Sequence, residues 1–155
     1  MNAAMAQTFD GYKRVLLPID FSDHCTHAAM QAAWLAELSG GVVHLAHVVV
    51  NPLDPIYEPE SVEHWVVVEH ASAKARTLLE GVAATCLPAD VPRELHILGG
   101  DPYAKLIDLA HVIAADLVVM STHGSSNITH LVMGSVAEKV ARDAGCPVLL
   151  VRIPR

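Results

Sequence analysis

The sequence predicts an α/β protein, a single doubly wound, five-stranded parallel sheet with helices on both faces. Three observations predict it. Short apolar runs alternate along the chain with segments of helical periodicity. Those runs are near-continuously apolar rather than alternating, as strands buried on both faces are. The chain is also 52% hydrophobic and only 17% charged, where globular proteins carry about 25% charged residues. That excess suits a sheet sealed between helical layers and excludes a disordered chain.

The first strand is Arg14 to Ile19 (RVLLPI), bounded by the turn-forming Asp20-Phe21-Ser22-Asp23. Ser22 or Asp23 is placed to cap a helix along which Cys25, Ala28, Ala29, Ala32, Leu35 and Ala36 recur. Gly40-Gly41 ends it. Residues 42–50 (VVHLAHVVV) form a β-branched second strand, and the proline-bearing stretch 51–59 reads as a loop. A second helix covers Glu60 to Thr85, periodic at Ala71, Ala75, Leu78 and Val82. The third strand, Arg93 to Leu98, runs into Gly99-Gly100-Asp101-Pro102. There the Asp carboxylate can cap free N–H groups, and Pro loses nothing at the first helical position. This third helix extends to about Ala115. Residues 116–121 (DLVVMS) are the fourth strand, Ser135 to Ala144 the last helix, and 147–153 (PVLLVRI) the fifth strand. No internal repeat or linker interrupts the pattern, and one domain is expected over 1–155, with its core at about 13–152.

The net charge of −7 does not suit a nucleic acid or an anionic membrane as partner. No apolar stretch reaches the roughly 18–20 residues of a membrane-spanning helix, and the polar start MNAAMAQTFDGYKR does not read as a signal peptide. Cys25, Cys86 and Cys146 are odd in number, scattered and without a CxxC spacing. A reduced, cytoplasmic protein is the expectation, with the cysteines as packing residues.

In a doubly wound sheet the ligand binds outside the carboxyl ends of the strands, which here means segments 18–23, 48–55, 99–102 and 120–135. A Walker A pattern is absent, and no GxGxxG follows the first strand. The first loop carries Asp20 instead, a carboxylate that repels phosphate but accepts hydrogen bonds from a ribose hydroxyl or an amino group. A phosphate cradle fits best at Ser121-Thr-His-Gly124-Ser-Ser-Asn127 with Gly134-Ser135. Glycines let backbone N–H groups approach an anion, and a helix N-terminus adds a favourable partial charge.

The stretch VVMSTHGSSNITHLVMGSVAEKVARDAGCPVLLV resembles the C-terminal signature of the universal stress protein family, G-x2-G-x9-G-[S/T]. Gly124, nine intervening residues and Gly134-Ser135 match it. The opening KRVLLPIDFSDH, the HVV at 47–49 and the GGDP at 99–102 resemble the family's earlier segments, so the likeness runs from Lys13 to Arg152. The resemblance implies a sandwich like that of the adenine nucleotide α-hydrolases, binding of ATP with or without Mg²⁺, and a homodimer paired through residues 147–153. By position it implies a pocket with Pro18 and Asp20 on the adenine–ribose side, the Val48 backbone at the adenine edge and Met120 in the wall. Ser121, Gly124, Asn127, Gly134, Ser135 and Val136 would hold ribose and phosphates. Two positions depart from the pattern. Ser121 stands at the first glycine, which matters if φ there must be positive. Asn127 stands where many members have a further glycine.

Plainer readings accompany these. Ser135 and Glu138 spell an S-x-x-E capping box, and Asp20 can serve only to cap the first helix. Gly100 and Asp101-Pro102 are most simply a helix start. Trp65-Val66-Val67-Val68 suggests an apolar patch or a misplaced helix start. Among the 10 histidines, His24 and His27 lack the further ligands of a zinc site. His44 and His47 point to opposite faces of one strand and cannot chelate together. His64, His70, His96 and His111 read as solvated or core-edge residues, whereas His123 and His130 border the cradle. The sequence thus supports a nucleotide-dependent stress-response or signalling dimer rather than a fast enzyme. The alternative is a nucleotide-free dimeric interaction module of the same fold. An enzyme of the α-hydrolase type would need activating residues that the sequence does not display.

Overall fold

The computed structural model describes residues 9–50, 62–122 and 133–152, with the backbone alone for 62–67. Among the described residues nine elements alternate in the expected order: β1 (Arg14–Pro18), α1 (Cys25–Ser39), β2 (Val42–Val49), α2 (Val62–Cys86), β3 (Arg93–Gly99), α3 (Pro102–Val112), β4 (Leu117–Ser121), α4 (Ser135–Asp143) and β5 (Val148–Val151). The five strands form one sheet in the order β3-β2-β1-β4-β5, with every pair parallel. Among the described residues no helix is long and apolar enough to cross a membrane.

The sheet separates two apolar layers. Val15, Leu17, Val43, Leu45 and Val119 face α1 and α2, while Leu16, Ala46, Val48, Val118 and Met120 face α3 and α4. This division is the period-two alternation of strands acting on runs apolar at every position. Helix α1 approaches closely because Ala28, Ala29, Ala32, Ala33 and Ala36 line its buried side. Gly40, at φ 60°, ends it, and the Gly41 amide returns to the Ala36 carbonyl at 2.8 Å.

Two caps differ from the sequence expectation. Neither Ser22 nor Asp23 caps α1; its N-cap is His24, whose side chain makes no capping hydrogen bond. The Asp20 carboxylate instead accepts from the Ser22 amide at 3.0 Å and the Ser22 hydroxyl at 2.7 Å, which closes a turn before the helix begins. The capping box at α4 does not form either. Gly134 is the N-cap and Ser135 already lies inside the helix, while Glu138 pairs with Arg142 at 2.9 Å. At α3 the expectation holds: Asp101 accepts from the Ala104 amide at 2.8 Å, and Pro102 opens the helix.

One tie had no signature in the sequence. The Asp116 carboxylate accepts the amides of Lys13 and Arg14, both at 3.0 Å. It fastens the start of β1 beside β4 across a hundred residues of chain.

Candidate functional site

The chain moves outward from β1 through β2 to β3, then returns to build β4 and β5 on the other side. The sheet order therefore reverses between β1 and β4, and a crevice opens there at the carboxyl ends of the strands. A cavity of about 350 Å³ occupies it, within the size range of small-molecule sites.

Three walls build this cavity. Pro18, Ile19 and Asp20 come from the end of β1, Ala46, His47, Val48 and Val50 from the end of β2, and Met120, Ser121 and Thr122 from the end of β4. Gly134 to Ala137, at the start of α4, close one side, and Pro102 and Leu106 of α3 close another. The Gly134 amide donates to the Thr122 carbonyl at 2.9 Å. That bond brings the end of β4 and the start of α4 to one side of the cavity, with the helix N-terminus at its rim.

The backbone of β2 adds a polar edge. The Ala46 carbonyl accepts from the Ile19 amide at 2.8 Å, so at even-numbered positions the peptide groups turn toward β1. Val48 has the same parity, two residues further on, and β1 has ended at Pro18. Its N–H and C=O are directed beyond the end of β1, where the cavity lies.

Asp20 is held in place by its neighbours. Besides Ser22, its Oδ1 accepts from the Cys25 thiol at 2.7 Å, and its amide donates to the same sulfur at 3.4 Å. Burial pushes the Cys25 thiol up to about 11, with the adjacent Asp20 carboxylate adding to the shift. The cysteine is therefore a protonated donor that orients the acid. Phe21 follows at φ 61°, an unusual conformation for a bulky side chain, with its ring 4.3 Å from that of His47. The His47 Nδ1 lies 2.7 Å from the Ile19 carbonyl. Because a carbonyl only accepts, the His47 Nδ1–H is the donor in this contact.

The universal stress protein family model matches residues 11–152. The chain belongs to that family. It is 35% identical over 146 residues to a universal stress protein of Thermus aquaticus, covering 91% of this chain and 99% of the relative. Its fold matches the universal stress protein UspA of Lactobacillus plantarum with a TM-score of 0.69 at 26% identity, over 92% and 99% of the two chains. It also matches a universal stress protein solved in complex with cAMP, with a TM-score of 0.60 at 25% identity, over 92% and 98%.

In this universal stress protein, Pro18, Asp20, Val48, Met120, Ser121, Gly134, Ser135 and Val136 all line this same cavity. Gly124 and Asn127 lie outside the described residues. Ser121 is the last residue of β4 and is not among the residues with positive φ. Its Cβ therefore costs the backbone nothing at that position. His47, Val50, Pro102, Leu106 and Thr122 also line the cavity. Val50, Pro102 and Thr122 lie within the segments that the strand-end rule marks, and His47 stands one residue before the segment 48–55. Leu106 reaches the site from the middle of α3, which only packing reveals.

Proposed function

We propose that the cleft binds an adenine nucleotide, ATP with or without Mg²⁺, and that the chain acts as a nucleotide-dependent stress-response or signalling dimer rather than as a fast enzyme. One observation carries this reading. The start of α4, with Gly134 and Ser135, opens onto the same cavity as the Asp20 turn and the Val48 edge. A nucleotide has an apolar flat base, a hydroxylated sugar and an anionic tail, and the cavity has a matching surface for each. Ala46, Val48, Leu106 and Met120 offer apolar walls to a base, and the directed Val48 peptide groups can read its edge. The Asp20 carboxylate suits a ribose hydroxyl. The N-terminus of α4 favours an anion, and Gly134 there places no side chain in its way. Binding of cAMP by a relative of the same fold adds support.

Thermal melting with and without ATP-Mg²⁺ tests the reading. ATP at a hundred times its dissociation constant adds about 2.7 kcal/mol, a rise of several degrees in Tm. No shift at millimolar ATP would remove the proposal. Gly134→Val probes the anion end. Gly134 sits at φ −59° and ψ 143°, a conformation open to any L-residue, so the substitution acts mainly through its added bulk. The expected outcome is a folded protein with nucleotide affinity at least about tenfold weaker, a loss of about 1.4 kcal/mol. Unchanged affinity would move the phosphates elsewhere.

A further inference from the structure

A second group of chemistry-bearing side chains lies on β2 and β3, apart from the cleft. His44 and Glu94 are register partners on the two parallel strands, and His96 follows Glu94 by two residues. Period-two alternation therefore places all three on one face of the sheet. It is the face of Ala46 and Val48, toward the strand start and away from the nucleotide cavity. His96, read from the sequence as a solvated or core-edge residue, is half-buried and shares this face with His44 and Glu94.

The three donor atoms converge. His44 Nδ1 lies 3.1 Å from His96 Nε2, and Glu94 Oε2 lies 3.5 Å from the first and 3.9 Å from the second. The carboxylate is beyond the usual 2.7–3.2 Å hydrogen-bond range from both rings. Ligands about 2.0–2.1 Å from a tetrahedral zinc ion stand about 3.3 Å from one another, and the observed separations bracket that value. We propose that His44, Glu94 and His96 form a binding site for a divalent transition ion of the zinc class, with solvent completing the coordination. Two imidazoles and one carboxylate form a donor set used by zinc with an open position and disfavoured by magnesium or calcium.

Burial supports the assignment from both sides. His44 is buried, His96 is half-buried and Glu94 is exposed, so two ligands are fixed by packing while the third opens a path from solvent. The ion would bridge β2 to β3, an edge strand of the sheet. This proposal does not depend on what the cleft binds.

The test is titration of the tag-free, nucleotide-free protein with ZnCl₂, followed by calorimetry and melting. Wild type should bind one Zn²⁺ per chain at this site and melt several degrees higher, while MgCl₂ leaves Tm unchanged. Glu94→Gln replaces an exposed ligand and should fold normally, yet weaken zinc binding by about tenfold or more. His96→Asn should do the same and abolish the melting shift. The double variant His24→Asn with His27→Asn removes an unrelated histidine pair and should leave the affinity intact. Equal zinc affinity in wild type and Glu94→Gln would overturn the site, as would the absence of any zinc-induced shift in wild type. Either result identifies the three side chains as a polar cluster without a metal.

Discussion

Asp20 and Cys25 show how individual side chains prepare the cleft. A bare carboxylate at the end of β1 would sample several orientations, but Ser22 and the thiol direct donors at the same oxygen. The energetic consequence can be measured. An unfolded thiol ionises near pH 8.5–9, whereas that of Cys25 keeps its proton until about 11. Between those values the unfolded chain binds fewer protons than the folded one, so stability falls as pH rises. The loss is at most about 3 kcal/mol for a shift of this size. Lysines titrate in the same window, so the informative quantity is the difference between proteins. Urea unfolding from pH 8 to 11 should show a steeper decline in wild type than in Cys25→Ala, and parallel curves would mean that the thiol does not contribute. The sequence places Asp20 at the site by its position after the first strand. It cannot reveal that Cys25 holds it, because five residues of separation become a contact only through the sharp turn at Phe21.

At the scale of elements, the helix ends record which local signals prevail. Asp101-Pro102 caps α3 as the dipeptide predicts, because both residues act within one turn and need no distant partner. The Ser135–Glu138 box fails because Gly134, not Ser135, is the N-cap, and the Glu138 amide that the Ser135 hydroxyl would have to accept already donates to the Gly134 carbonyl at 3.0 Å. The C-terminal end of α3 carries a correctable strain. Ala114 sits at φ 48°, with its amide on the His111 carbonyl and the Ala115 amide on the Ala110 carbonyl. This is a glycine-type helix ending made with alanine. Left-handed geometry costs an L-residue roughly 1–2 kcal/mol, and glycine's greater unfolded-state entropy returns about 0.5–1 of it. Ala114→Gly should therefore raise stability by roughly 0.5–1 kcal/mol, read as a higher urea midpoint with an unchanged slope. A lower midpoint would show that the Ala114 methyl packs better than its conformation suggests.

For the whole molecule, the charge of −7 conceals a local exception. Residues 121–135 contain no Asp or Glu, so the segment proposed to meet phosphate is free of acidic side chains. Similarly, the high apolar content is largely the mark of a sheet covered on two faces, but it also leaves β5 at an edge with Leu149 exposed. An edge strand that retains an exposed leucine invites pairing with a second copy. The mass in solution should accordingly be twice 16.6 kDa by light scattering, and Leu149→Lys should shift it toward the monomer. A wild-type chain that is strictly monomeric at tens of micromolar would exclude pairing through residues 147–153.

The sequence by itself determined the number, type and order of the elements. Strand and helix differ in period, and their boundaries are marked by Gly, Asp and Pro acting over a few residues. It also pointed to the region of the cavity, because a doubly wound sheet opens its crevice where its strands end, and Gly134-Ser135 of the signature lie there. Only the tertiary structure decided which side chains meet. The return of β4 beside β1 makes the cavity, Asp116 fastens those strands, and the register of β2 against β3 sets His44 next to Glu94 and His96. Such contacts depend on strand order and register, which arise from packing across the whole sheet. A histidine excess that looked scattered along the chain thereby resolves, at two of its members, into one site.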